Sequence, residues 1–381
     1  MNEFYIDKRK FNYSIENDFC EALDICSYPD PYSINFLNHG QSVEDISNLQ
    51  KDNEPPVILI DNEVKKLFFT SSQLDSRTYL VTAVEENKEI QEVLKIVDFY
   101  REKNVTKKTS VIVIGGGILQ DLGAFSTKLY KRGIPWIYFP TTLLSQSDSC
   151  CGGKTAINYG QAKNLLGLFS APKKVMIDLM FNKSLGKDAI FSGLGEVLRL
   201  CITGGYASLS LFEKNLGKFL EGDEVAIRRL IEISLKIKKL VVECDEFDKN
   251  HRRSMNYGHS IGHALEAMTN YKIPHGVGVS IGILVENEIA EAFGLLNEME
   301  KNKILKSAKK IIPKKYVDIL VMTKTENIIS LLKLDKKTEG KNLILASLEK
   351  IGAISFIKFE LNDENERLID NKIKQVISYF N

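Results

Sequence analysis

At 381 residues the chain is long enough for two domains of ordinary size, each with its own core. Its 44% hydrophobic and 27% charged composition is that of a soluble globular protein, and no stretch nears the ~18 consecutive apolar residues a membrane span needs. With 51 Lys and Arg against 50 acidic residues the molecule is nearly neutral, which leaves no overall field for a polyanion such as nucleic acid.

The amino-terminal MNEFYIDKRKFNYS alternates charged and aromatic residues without the apolar core of a secretion signal, so a cytoplasmic location is expected. Residues 1–50 offer no role. From residue 57, short β-branched or aromatic runs recur: VILID at 57–61, YLVTAV at 79–84, VIVI at 111–114, WIYF at 136–139 and KVMID at 174–178. Helix-period segments such as EENKEIQEVLKIVDFYREKNV lie between them, which predicts an α/β domain with a Rossmann-like parallel sheet and crossover helices. Past residue 186 the strand signal fades and long amphipathic segments, for example DEVAIRRLIEISLKIKKLVVECDEF, predict a mostly α-helical carboxy-terminal domain. The turn-rich NKSLGKDAIFSG, 182–193, marks the boundary, giving domains 1–186 and 187–381. The lysine-rich stretch 301–350 reads as solvated helix faces, because only Tyr316 stands among those lysines to stack on a base. Six cysteines without metal-type spacing, two of them the neighbours Cys150 and Cys151, read as reduced thiols.

Three motifs carry chemistry. In VIVIGGGILQDLGAFSTKLY an apolar strand runs through Gly115, Gly116 and Gly117 into a helix, a turn that lets a phosphate approach the helix amides, or serves as a tight turn alone. Asp121 follows in the first helical turn, and Asp61 ends the VILID strand where it would accept from a ribose hydroxyl or cap a turn. In FPTTLLSQSDSCCGGKTAINYGQAKN, Lys154 follows two glycines, with Lys163 and Asn164 further on; this reads as a lysine on a flexible turn beside amide donors, suited to an anionic group. The spacing is not that of a nucleotide-hydrolase phosphate loop.

The third motif is NYGHSIGHALE. His259 and His263, four apart, share one face of a helix, and His275 follows Pro274 at the start of the next. Four of the five histidines fall between 251 and 275. Position 260 is Ser, so the metalloprotease base is missing. The carboxylate that would complete a metal site is expected from Glu196 in SGLGEVLRL, on an apolar helix where an unpaired charge is costly.

Taken in order, the strand, GGG turn, GGKT, EVLR helix and NYGHSIGHALE resemble 3-dehydroquinate synthase and the wider sugar phosphate cyclase family, from about residue 57 to about residue 350. The resemblance implies an NAD-binding α/β domain, a helical metal- and substrate-binding domain, an active site between them, and a homodimer. By it, Asp61, Glu85, Lys88, Gly116, Gly117, Asp121, Thr141 and Thr142 contact NAD; Glu196, His259 and His275 bind zinc or cobalt. Lys154, Asn164, His263, Lys336 or Lys337, and Arg132 across the dimer handle the phosphate end, while Lys238, Arg252 and Asn256 surround the carboxylate and ring hydroxyls, and Asp148 meets another hydroxyl.

The implied reaction is that of a phosphate-releasing carbon–oxygen lyase of the shikimate pathway: transient oxidation by NAD, β-elimination of phosphate, reduction, and aldol closure of the ring, with His263 relaying protons. Arg252 and Asn256 favour a carboxylate-bearing substrate, 3-deoxy-D-arabino-heptulosonate 7-phosphate. Departures from the family pattern are Arg199, where lysine is usual, and Asp248, where glutamate is usual. Arg199 keeps open a cyclase of specialised metabolism, of the 2-deoxy-scyllo-inosose synthase or amino-dehydroquinate synthase type. A metal-dependent glycerol dehydrogenase and a non-catalytic relative are the rival readings.

Overall fold

The computed structural model describes the chain apart from residues 29, 50–54, 71–72, 161, 324–327, 329, 333–337, 340–341 and 381. Its elements run β1 (Asn2–Ile6), β2 (Arg9–Tyr13), β3 (Ala22–Ile25), β4 (Tyr32–Phe36), α1 (Gln41–Leu49), β5 (Val57–Asp61), α2 (Asn62–Phe68), β6 (Thr78–Val81), α3 (Ile90–Glu102), β7 (Val111–Gly115) and α4 (Gly117–Leu129). Then come β8 (Trp136–Pro140), β9 (Lys154–Tyr159), β10 (Ala162–Phe169), β11 (Lys174–Ile177), α5 (Lys187–Gly204), α6 (Tyr206–Leu220) and α7 (Glu224–Cys244). Last are α8 (His259–Met268), α9 (His275–Ala292), α10 (Glu298–Ala308), α11 (Lys314–Val321), β12 (Thr338–Glu339), β13 (Asn342–Lys350), β14 (Ala353–Glu360) and a final helix, Asp363–Ser378. The chain forms two compact units, Asp18–Leu185 on the one hand and Met1–Asn17 with Gly186–Asn381 on the other.

In the unit Asp18–Leu185 a seven-stranded sheet has the order β3-β4-β11-β8-β7-β5-β6, parallel throughout except for β3 against β4. Strands β5 and β7 read as unbroken apolar runs because both faces are covered. Ile58, Ile60, Ile112, Ile114 and Phe139 pack with Ile46 and Phe181 in one core. Each such side chain contributes about 1.5–3 kcal/mol relative to exposure. Since β6 and β7 lie on opposite sides of β5, the carboxyl ends of β5 and β7 flank a switch point, the crevice where open α/β sheets take ligands. Lys154 does not stand on a flexible turn: it opens β9, which pairs antiparallel with β10 in a separate hairpin.

The second unit is built on α5–α11 and the final helix, and it also holds a five-stranded sheet, order β12-β13-β14-β1-β2. The first seventeen residues therefore belong here and not with 18–186: β1 pairs in parallel with β14, Tyr5 opposite Ala353, and the Tyr13 hydroxyl donates to the Gly204 carbonyl at 2.9 Å. Among the described residues no helix is long and apolar enough to cross a membrane.

Two glycine contacts set the helix packing that matters below. A Cβ on Gly195 of α5 would lie 1.9 Å from the Gly276 carbonyl oxygen of α9, and one on Gly282 of α9 would lie 2.0 Å from that of Gly258. Only glycine allows α5, α9 and the start of α8 to meet backbone to backbone. Gly258 has φ +81°, and its N–H donates to the buried Glu286 carboxylate at 2.6 Å, which caps α8 from α9. Tyr257 adds a second tie, its hydroxyl donating to Asn287 at 2.6 Å.

Candidate active site

That packing brings three helix positions together. His259 is the first residue of α8, His263 follows one turn on, and His275 opens α9 behind Pro274. One ligand nitrogen from each of the three lies within 4.8 Å of the others, so the triad could hold a metal ion. Glu196, on the buried face of α5, sends Oε1 to 3.4 Å from His259 Nε2 and 3.3 Å from His275 Nε2.

The tautomers follow from the far side of each ring. His259 Nδ1 lies 3.2 Å from the Tyr257 carbonyl and His275 Nδ1 3.0 Å from Glu266 Oε1, so both Nδ1 atoms donate and both Nε2 atoms turn a lone pair toward Glu196. Glu196 Oε1 is buried and has no hydrogen bond of ordinary geometry among the described residues. Three lone-pair donors facing one point need a cation between them. Without a metal, a proton on His275 serves: burial opposes it, but the Glu266 and Glu196 carboxylates raise the pKa to about 10. His259 moves the other way, because burial outweighs the pull of Glu196. Burial also resists ionisation of Glu196, yet the Arg199 guanidinium and the imidazoles hold its carboxyl well below the usual range. His263 is exposed at the rim of the triad, its ring centroid 5.3 Å from that of His259.

Around this centre, Arg199 is buried with its Nε 2.6 Å from Glu196 Oε2. Lys238 is buried on α7. Arg252 and Asn256 lie on the 3-10 turn His251–Asn256, whose Met255 sulfur accepts from Arg199 at 3.3 Å. Asp245 organises this turn: its carboxylate accepts from the backbone N–H of Lys249, Asn250 and Arg252 at 2.9, 2.7 and 3.0 Å. Lys336 and Lys337 lie outside the described residues.

The residues expected to contact NAD lie in the unit Asp18–Leu185. Gly115 ends β7, Gly116 caps α4 and Gly117 begins it, all without left-handed φ; at Gly116 the need for glycine is closeness, since a Cβ there would meet Thr142 Cγ2 at 2.9 Å. Thr141 donates its N–H to the Gly115 carbonyl at 3.0 Å, and Thr142 bonds Ser145. Asp61 caps α2 through the Glu63 N–H at 2.8 Å. Lys88, buried, sits 2.6 Å from Asp121 Oδ2 and donates to Asn164 Oδ1 at 2.7 Å, while Asp121 accepts from the Ala156 N–H at 3.2 Å. Glu85 faces Lys163 at 3.4 Å. Asp148 lies in the π-helical turn Ser145–Ser149, and Arg132 is exposed with φ +64° after α4.

Sequence reasoning missed four organisers. Asn158 joins the second set: its amide donates to Glu85 Oε1 at 2.8 Å and its oxygen accepts from the Asn164 N–H at 2.9 Å. Asp245, Glu266 and Glu286 hold the first. Only Glu266 had a signal, standing three residues after His263 on the same helix face.

Residues 78–192 match the family 3-dehydroquinate synthase N-terminal, and residues 193–338 match 3-dehydroquinate synthase C-terminal. A 3-dehydroquinate synthase of Clostridium acetobutylicum is 34% identical over 317 residues, covering 81% of this chain and 87% of that protein. A bifunctional 3-dehydroquinate synthase/phosphatase of Fusobacterium nucleatum is 32% identical over 337 residues, 86% of this chain, and the chain spans 50% of its length. The solved structure of 2-epi-5-epi-valiolone synthase from Streptomyces hygroscopicus, with NAD+ and Zn2+ bound, has a TM-score of 0.74 at 22% identity, covering 93% of this chain and 99% of that one. At that identity the likeness is one of fold.

Proposed function

Because the chain belongs to the 3-dehydroquinate synthase family, we propose that it converts 3-deoxy-D-arabino-heptulosonate 7-phosphate to 3-dehydroquinate and inorganic phosphate in the cytoplasm, as a homodimer. The observation that carries the reading is Glu196 Oε1, a buried carboxylate oxygen without an ordinary hydrogen bond among the described residues, facing two imidazole nitrogens at 3.3 and 3.4 Å. A cation at that point completes the donor set Glu196, His259 and His275, which matches three protein ligands and an open position at a catalytic zinc ion. When bound, the ion supplies polarisation of vicinal substrate oxygens and NAD supplies a hydride acceptor and donor.

The chain's own residues do the rest. Asp61, Glu85, Lys88, Gly115 to Gly117, Asp121, Thr141, Thr142 and Lys163 hold NAD. Arg252, with its backbone fixed by Asp245, and Asn256 receive the substrate carboxylate, where a fork of donors fits two oxygens. Lys238 and Asp148 orient ring hydroxyls. Lys154, Asn164, one of Lys336 and Lys337, and Arg132 of a second copy offset the phosphate charge as it departs. His263, exposed beside the other two imidazoles, moves protons to and from the substrate. Holding one flexible intermediate through several steps is a matter of orientation, which so many fixed polar groups serve.

The test is phosphate release from the heptulosonate phosphate with NAD in catalytic amount, with and without a chelator. One phosphate per substrate, no net NADH, and recovery on adding zinc are expected. Release indifferent to the chelator overturns the metal's part, and accumulating NADH points to a dehydrogenase. A folded, metal-loaded enzyme that releases no phosphate overturns the substrate.

A further inference from the structure

Glu196 and Arg199 sit three residues apart on one face of α5, both buried, at 1% and 2% exposure. The guanidinium Nε donates to Glu196 Oε2 at 2.6 Å, and its Nη1 donates to the Met255 sulfur at 3.3 Å, so the fork is anchored at two points. With Oε2 engaged in the guanidinium plane, rotation of the carboxylate is fixed and Oε1 alone is turned to His259 and His275. A carboxylate can give a divalent cation one oxygen or two; here the second is already taken. The arginine charge also cancels that of the carboxylate inside the protein, which leaves a bound ion with more of its own charge.

We propose that Arg199 is a positioning residue for the metal, holding Glu196 to a single coordinating oxygen. The proposal rests on the reading of Glu196, His259 and His275 as ligands. Lysine, which the resemblance noted above places at this position, has no planar N–H to lie along Oε2 and would leave that oxygen able to reach the ion.

The experiment uses Co2+ as the probe, titrated into metal-free full-length protein and followed by its visible ligand-field band, for the wild type and for Arg199→Lys, Arg199→Met and Glu196→Gln. Circular dichroism checks folding; if Arg199→Met, which strips the guanidinium from the buried Glu196 Oε2, does not fold, Arg199→Lys decides. Expected in Arg199→Lys is a band that fades toward the weak absorption of higher coordination as the second oxygen joins. A wild-type band in Arg199→Lys, with the band lost in Glu196→Gln, overturns the role of Arg199 and leaves the ligand set standing. A wild-type band in Glu196→Gln removes the ligand set, and the proposal with it.

Discussion

Gly195→Ala tests how the helices create the site. The new Cβ would sit 1.9 Å from the Gly276 carbonyl oxygen, 2.5 Å from its carbon and 2.8 Å from Ser280 Oγ. Ordinary contact begins near 3.4 Å, so α5 and α9 must part by about 1.5 Å at this point. Overpacking a core costs about 1–3 kcal/mol, and a backbone carbonyl has no rotamer by which to step aside, so the upper end is expected. At roughly 2–4 °C per kcal/mol for a unit of this size, Tm should fall by about 6–12 °C. The functional effect is sharper. Glu196 travels with α5 and His275 with α9, while coordination distances tolerate only about 0.2 Å, so zinc affinity should drop by about 100-fold or more. Calorimetry and competition with a chromophoric chelator measure the two effects. The control is Gly217→Ala on α6, where a Cβ meets nothing within 4 Å among the described residues and should stabilise by about 0.5–1 kcal/mol. A Gly195→Ala protein that melts with the wild type and keeps its zinc affinity would refute the packing argument.

Glu266→Gln retains an acceptor for His275 Nδ1 but removes the charge; zinc affinity should fall about 10-fold, and further in Glu266→Ala, by the same competition titration. Wild-type affinity in both variants would dismiss Glu266 as an orienting group. Asp245 gives a pH dependence. Burial pushes its pKa up, but three backbone N–H donors prevail and hold it below the ordinary value. The folded state then binds fewer protons at this group, so its contribution is full above the unfolded pKa of ~3.9 and disappears as pH falls through the folded value. Asp245→Asn should therefore cost about 1–2 kcal/mol at pH 7, with the gap to wild type closing toward pH 3 in urea melts. A gap independent of pH contradicts the assignment.

Much of the site was legible because its donors come from strongly periodic segments. The four-residue step of His259 and His263 and the proline before His275 fixed their helix positions, and the apolar surroundings of Glu196 marked a charge in need of a partner. Its Arg199 partner was visible only as a departure from a pattern, not as an ion pair. The organisers Asn158, Asp245 and Glu286 left no trace because each acts through backbone N–H groups or a remote side chain that only tertiary contact brings near. In the fold, the fully buried β5 and β7 announced themselves as apolar runs. The segment NLILASLEK of β13 did not, since its Leu, Ala, Glu and Lys suit a helix equally well and pairing with β14 decides the matter.

The parallel pairing of β1 with β14 joins residues that lie on either side of the whole Asp18–Leu185 stretch. A ribosome completes the whole Asp18–Leu185 stretch while Met1–Asn17 still waits for its neighbour, so the histidine-bearing unit can close only once Ala353–Glu360 has emerged. Anyone wishing to isolate that unit cannot simply cut before Gly186. The severed piece would bare the flank of Ala353–Glu360 as an open template for aggregation, and grafting Met1–Asn17 back on through a short tether is the remedy.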